Sequence, residues 1–269
     1  MSDEEDLTYE QNYVLTTAGS AGVTWALKEK PKKKQKKILC IYSGGMDSTV
    51  LLYDLINKGN QVEAIWFNYG QRHKKEHLFA EQICSKLGIE FTELDISEIN
   101  SFLTNSSLSG EQDIPDVHYE DDKAINTIVP NRNMIMLSIA TAKAINDKFD
   151  AVAFGCHYGD RVVYPDCRIE YTNALQTAIF LADRHLVKLL TPFIDITKAD
   201  IVNIGQKNNV PWTQTWTCYN GLEKHCGSCP TCIERREAFY LSKVRDPTIY
   251  EPSAQSINEI IDKSGELVK

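Results

Sequence analysis

Residues 38–56 read ILCIYSGGMDSTVLLYDLI. An apolar run bounded by glycine gives way to a tight polar loop, and a second apolar run follows with helical spacing. Strand, glycine loop and helix in that order is the opening unit of a layered α/β fold. Gly44 and Gly45 can take backbone angles closed to other residues, so the chain can turn sharply with its N–H groups exposed. The helix that follows adds unpaired N–H groups and the positive end of its dipole. With the hydroxyls of Ser43, Ser48 and Thr49, this loop reads as an anion pocket suited to phosphate. It is not a Walker A loop, because no G-K-[ST] is present. Asp47 stands out, since a carboxylate beside phosphate is repulsive unless a cation lies between them. Mg²⁺ on a pyrophosphate group would resolve this; a plain helix-capping aspartate is the other reading.

Outward from this loop the alternation continues. TVLLYDLINKG has helical spacing and stops at Gly59; QVEAIWFNY reads as a strand, and KKEHLFAEQICSKLG as an amphipathic helix closed by Gly88. IEFTELDI is a third strand, RNMIMLSIATAKAINDKF a long helix, and AVAFGC a further buried strand. The expected fold is α/β: a doubly wound, mainly parallel sheet with helices on both faces, plus a small C-terminal Cys₄ zinc-binding region. Ligands in such folds bind beyond the carboxyl ends of the strands, where SGGMDST, NYGQRH, VPNRN and GCHYGD can converge.

The chain has 269 residues, with 29 basic and 37 acidic side chains and a net charge of −8. That balance argues against a long polynucleotide partner. No apolar stretch approaches the ~18 residues of a membrane span, and the acidic start MSDEEDLTYE lacks the layout of a secretory signal. A cytoplasmic protein with no membrane partner is expected. Residues 1–37 read as an N-terminal extension or linker. The run KEKPKKKQKK suits a solvated tail better than a nucleic-acid arm, while TYEQNYVLTTAGSAGVTWAL has the residues for a strand or two. Residues 38–210 are expected to form the nucleotide-binding domain, 211–245 the zinc-binding helical region and 246–269 a C-terminal tail.

Four of the eight cysteines, Cys218, Cys226, Cys229 and Cys232, fall within fifteen residues. Thiolates at such intervals can converge tetrahedrally on Zn²⁺, with Gly227 supplying the bend; an iron–sulfur cluster is the less favoured alternative. A closed Cys₄ site leaves no open position, so its task is folding and not chemistry.

The loop SGGMDS resembles that of the PP-loop ATP pyrophosphatases. Together with NYGQRH at 68–73, VPNRN at 129–133, YPDCR at 164–168, TCYNG at 217–221 and CGSCPTC at 226–232, the chain resembles the 7-cyano-7-deazaguanine synthase family from about Ile38 to Phe239. The resemblance implies an ATP-dependent carbon–nitrogen ligase. It would adenylate 7-carboxy-7-deazaguanine, take free ammonia to give the amide, and adenylate again to give the nitrile, with Mg²⁺ on ATP and structural Zn²⁺. It implies that Ser43, Gly44, Gly45, Met46, Asp47, Ser48 and Thr49 hold the pyrophosphate side of ATP. Asp47 and Arg132 would be catalytic, and Arg72, Arg132, Tyr164, Asp166 and Arg168 would bind substrate. Asp166 would accept hydrogens from the edge of a guanine-like base, with Tyr164 stacked on it. His73 and His157 are candidate proton carriers, His157 reading better as a hydrogen-bonded loop histidine, and Cys167 as a buried thiol. Many members of the family pair as homodimers. Asn131 stands where the family more often has glycine, and the GCHYGDRVVYPDCR segment departs from its common form. These differences leave open a relative that stops at the amide or conjugates the activated base to a protein amine. A PP-loop tRNA-modifying enzyme and a non-enzymatic zinc adaptor are the rivals of other classes.

Overall fold

The computed structural model describes residues 13–17, 23–27, 35–72, 74–103, 106–108, 113–119 and 121–267. His73 and most of the lysine run lie outside these residues. The chain divides into two units, residues 1–35 and 36–269. In the first, β1 (Tyr13–Thr17) and β2 (Val23–Leu27) pair antiparallel, with Tyr13 opposite Leu27 and Leu15 opposite Trp25.

The second unit is built on a five-stranded sheet of β3 (Lys37–Ile41), β4 (Gln61–Asn68), β5 (Phe91–Asp95), β6 (Ala151–Ala153) and β7 (Lys188–Leu190). The spatial order is β5-β4-β3-β6-β7 and every pairing is parallel. Parallel strands need covered faces, and β3 shows how the sequence supplies them. Ile38 and Cys40 point into one core with Val50 and Leu51 of α1 (Met46–Asn57), Ile83 of α2 (Lys75–Leu87), Ile201 of α6 (Lys198–Lys207) and Phe239 of α7 (Pro230–Leu241). Leu39 points the other way, to Leu137 and Ala140 of α3 (Arg132–Asn146) and Ile179 of α5 (Ile169–Ala182). A short helix α4 (Asp160–Val163) and a terminal helix α8 (Ile257–Leu267) complete the described α-helices.

The expected strands and helices of the first half are all present. α2 ends where Gly88, at φ +66°, takes the left-handed cap conformation. AVAFGC is shorter as a strand than expected, pairing only over Ala151–Ala153. The stretch from 246 expected as a tail packs against the cysteine region: Arg235, fully buried, donates to Asp246 Oδ1 at 3.4 Å, and Arg236 donates to the Gln255 carbonyl. A buried guanidinium needs an acceptor of opposite charge, and Asp246 supplies it.

From β3 the chain steps outward to β4 and β5, then returns past β3 to β6 and β7. The loops leaving β3 and β6 therefore part in opposite directions at one point on the sheet, which opens a crevice beyond the strand ends.

Candidate active site

The crevice is lined by Ser43, Gly45, Met46, Asp47 and Ser48 of the first loop, by Arg72, Glu76 and Arg132, and by Lys198. Its walls include Trp66, Phe67, Tyr69 and Trp216. The loop is shaped by its own hydroxyls. Ser43 Oγ accepts from the Gly45 N–H at 3.1 Å and lies 3.1 Å from Ser48 Oγ, while Thr49 Oγ1 donates to the Gly45 carbonyl at 2.7 Å. Gly44 has φ +89°, and a Cβ there would sit 2.1 Å from the Glu76 carbonyl oxygen. Glycine at 44 is thus required both by conformation and by the approach of α2. Gly45 is the N-cap of α1 and brings no capping side chain, so the start of α1 is left uncapped from that position. This fits a pyrophosphate group.

Asp47 lies in that first turn. Its Oδ2 is 3.1 Å from Lys198 Nζ, and Lys198 in turn donates to Glu234 Oε2 at 2.6 Å. Burial by itself would raise the Asp47 carboxyl, but the Lys198 charge, then His157 and the Lys198 hydrogen bond, outweigh it and hold the group below the usual carboxylate range. Burial works against the Lys198 charge; Asp47, Glu234 and Asp160 overcome it and keep the ammonium protonated. Asp47 Oδ1 is buried and accepts no hydrogen bond. A buried carboxylate oxygen without a hydrogen-bond donor is one that a Mg²⁺ accompanying a nucleotide would satisfy.

Arg132 opens α3 after Asn131, whose φ of +58° is a left-handed value that asparagine tolerates better than most residues. That is why asparagine can replace glycine in VPNRN. The Arg132 guanidinium stands over the Tyr69 ring, 5.6 Å from its centroid. Burial pushes the Glu76 carboxyl up to about 8, with Arg132 opposing and Asp47 adding to the rise.

The remaining expected residues lie farther out. Tyr164 bonds through its hydroxyl to Thr127 Oγ1 at 2.7 Å and reaches Tyr219, a crevice residue, at 3.5 Å. Asp166 Oδ2 accepts from the Asn133 N–H at 3.4 Å, at the start of α3. Arg168 is exposed and donates to the Arg161 carbonyl at 3.2 Å, away from the crevice lining. Cys167 is buried and accepts from Asn133 Nδ2.

Lys198 and Glu234 were not marked by sequence reading. The signal at 197–200, TKAD, is that of a capping box, and Thr197 and Asp200 do cap α6; nothing local tells that the lysine between them turns inward.

Beside the crevice, Cys218, Cys226, Cys229 and Cys232 are buried with their sulfurs all within 4.8 Å of one another. Tetrahedral thiolates about 2.3 Å from zinc would be about 3.8 Å apart, and Cys226 and Cys232 are separated by 3.9 Å. The Ser228 and Cys229 N–H groups donate to Cys226 Sγ at 3.5 and 3.3 Å, the support a thiolate needs. Four buried sulfurs with amide donors fit a closed metal site. It touches the loop through its neighbour, as the Trp216 N–H donates to the Gly44 carbonyl at 3.1 Å.

The model of the family described as queuosine biosynthesis protein QueC matches residues 37–243. The chain belongs to the QueC family. It is 46% identical over 216 residues to the 7-cyano-7-deazaguanine synthase of Marinomonas sp. (strain MWYL1), covering 80% of this chain and 99% of that protein. Identity to the enzyme of the same name from Pseudoalteromonas translucida is 44%, with the same coverage. To that of Allorhizobium ampelinum it is 47% over 217 residues, 80% of this chain and 92% of the relative. The solved structure of NMN synthetase from Francisella tularensis aligns over 87% of both chains at 15% identity, with a TM-score of 0.42. Among the described residues no helix is long and apolar enough to cross a membrane.

Proposed function

We propose that this member of the QueC family is a 7-cyano-7-deazaguanine synthase, converting 7-carboxy-7-deazaguanine, ammonia and ATP to the nitrile with release of AMP and pyrophosphate. The observation that carries the reading is the SGGMDS loop at the strand switch point, with Lys198 held on Asp47 behind it, in a chain that matches the family from 37 to 243.

In this reading the α1 amides and the hydroxyls of Ser43, Ser48 and Thr49 hold the β- and γ-phosphates. Lys198 presents a fixed positive charge where pyrophosphate departs, and preorganised charge of this kind costs no reorganisation during reaction. Arg132 and Arg72 face the substrate carboxylate. The aromatic walls receive the planar base, with Tyr164 and Asp166 at its edge; Arg168, turned away to the Arg161 carbonyl, would reach it only by swinging inward. The carboxylate oxygen attacks the α-phosphorus of ATP and pyrophosphate leaves; ammonia then displaces AMP to give the amide. A second adenylation, on the amide oxygen, lets that oxygen leave with AMP and the nitrile forms. Mg²⁺ would sit at Asp47 Oδ1 and supply charge neutralisation; Zn²⁺ on the four cysteines would supply only structure.

Most of the nucleotide site falls to residues 38–210, with Trp216 and Tyr219 of the metal knuckle region 211–245 completing its wall, and residues 1–35 form a separate unit. A cytoplasmic homodimer is part of the same proposal, to be checked by fractionation and by sedimentation. The deciding experiment is mass spectrometry of purified protein incubated with 7-carboxy-7-deazaguanine, ATP, Mg²⁺ and ammonia. Nitrile and AMP support the reading. Amide without nitrile, or a base mass added to protein, would replace it with the diverged relative; no turnover would return the tRNA-modifying class.

A further inference from the structure

Glu234 is the point where three separate parts of the chain meet. It lies on the first turns of α7, buried, with Oε2 bonded to Lys198 of α6 at 2.6 Å. Its Oε1 is 3.5 Å from His157 Nε2, in the loop after β6. The same His157 Nε2 is 3.5 Å from Asp160 Oδ1, and the ring is 1% exposed. His157 Nδ1 accepts from the Gly159 N–H at 3.0 Å, which leaves the proton of a neutral ring on Nε2. That Nε2 makes no hydrogen bond. Asp47, Glu234 and Asp160 are therefore three carboxylates set around one lysine and one histidine.

Such an arrangement is a poor device for stability alone. A buried ion pair costs several kcal/mol of desolvation per charge and is often no better than an apolar pair of the same shape. What it does achieve is placement. Lys198 has two carboxylates to choose between, and Glu234, at the shorter distance, fixes where its ammonium stands relative to Asp47. Gly159 packs so near that a Cβ there would be 3.1 Å from Glu234 Oε1, so the carboxylate has little room to swing. Cys229 is the N-cap of α7 and Cys232 lies in its first turn, so the helix that carries Glu234 is anchored by the thiol cluster.

We infer that Glu234 is a positioning residue for the proposed reaction: through Lys198 it sets the geometry of the pyrophosphate loop, tying the cysteine-anchored helix α7 to the site of chemistry. This rests on the proposed synthase activity. Glu234 acts without touching the substrate, and its effect falls on the rate of adenylation more than on nucleotide binding. Removing its charge makes the loop more positive by one unit, so anionic ATP is not bound less well, while the ammonium loses its fixed place.

The test is steady-state kinetics of Glu234→Gln and Glu234→Asp beside the unaltered protein, with zinc content and thermal midpoint measured on each. Glu234→Gln is expected to lower kcat at least thirtyfold with KM for ATP unchanged or lower, and with zinc content retained. Glu234→Asp, which keeps the charge, should recover a substantial part of kcat. The inference is overturned if kcat of the folded, zinc-loaded Glu234→Gln protein stays within threefold of the unaltered one. It is equally overturned if both variants lose zinc, ATP binding and kcat together, since that is a purely structural role. Absence of nitrile from the unaltered protein would instead sink the synthase reading, and this inference with it.

Discussion

Lys198 Nζ stands 3.1 Å from Asp47 Oδ2, a largely buried ion pair between the start of α6 and the first turn of α1. Its two ends are not equivalent. Replacing Lys198 by Met takes from both Asp47 and Glu234 the ammonium that pairs with them, a change expected to cost about 3–5 kcal/mol. Replacing Asp47 by Asn leaves Lys198 still paired with Glu234 at 2.6 Å, so its cost in stability should be well under half of that. Both variants should abolish nitrile formation. Calorimetry would therefore separate two proteins that an activity assay cannot, and equal losses of stability would contradict the asymmetry.

Two glycines with positive φ test what the loop requires. Gly44→Ala must place a methyl 2.1 Å from the Glu76 carbonyl at φ +89°, whereas Gly59→Ala, at φ +81°, meets nothing within 4 Å. The second carries only left-handed strain, about 1–2 kcal/mol, and should leave turnover intact. The first adds a backbone collision that moves α2 or the loop, so turnover should fall at least a hundredfold. A Gly44→Ala enzyme of ordinary activity would mean that the loop need not hold its shape.

How far these features could be read beforehand depends on whether their cause is local. SGGMDS carries its own explanation, since glycine conformations, hydroxyl caps and a helix start all act within a few residues. The four cysteines are legible for the same reason: short spacing brings sulfurs together in almost any fold. Lys198 and Glu234 are not, and His157 is legible only as a candidate proton carrier or hydrogen-bonded loop histidine, without its partners. Each sits in an ordinary helix start or loop, and their meeting depends on packing α6 and α7 beside the β6 loop. β7 escaped because three residues, Lys188–Leu190, are too few to show a period. Arg235 escaped because its partner Asp246 lies in what reads as a polar tail.

The buried Arg235 gives a prediction of its own. Its guanidinium donates to Thr215 Oγ1 at 2.8 Å, Thr217 Oγ1 at 3.2 Å and the Trp212 carbonyl at 3.2 Å, besides Asp246. Lysine cannot satisfy that planar set. Arg235→Lys is therefore expected to lower the thermal midpoint by roughly ten degrees, taking about 3 kcal/mol in a unit of this size. Because the Thr217 N–H also donates to His225 Nε2, next to Cys226, a metal ion held by the four cysteines should be lost to a chelator faster in this variant. Unchanged chelator kinetics would show that the knuckle is held without Arg235.

Glu76 makes the stability of the protein depend on pH in a direction opposite to that of most carboxylates. Burial, the largest cause, with Arg132 opposing and Asp47 assisting, raises its folded pKa to about 8 from an ordinary value of 4.5. Below 4.5 both folded and unfolded chains hold the proton. Between 4.5 and 8 the unfolded chain releases it and the folded chain keeps it, so stability falls as pH rises through this window and levels off above it. Asp47 and Asp246, both held below their usual range, act at lower pH and are lost on acidification. Glu76→Gln removes only the first effect. The thermal midpoint of the variant, relative to the unaltered protein, should climb steadily from pH 5 to pH 8 and then stop. A difference that stays flat across that range would place the Glu76 carboxylate in water, not against the loop.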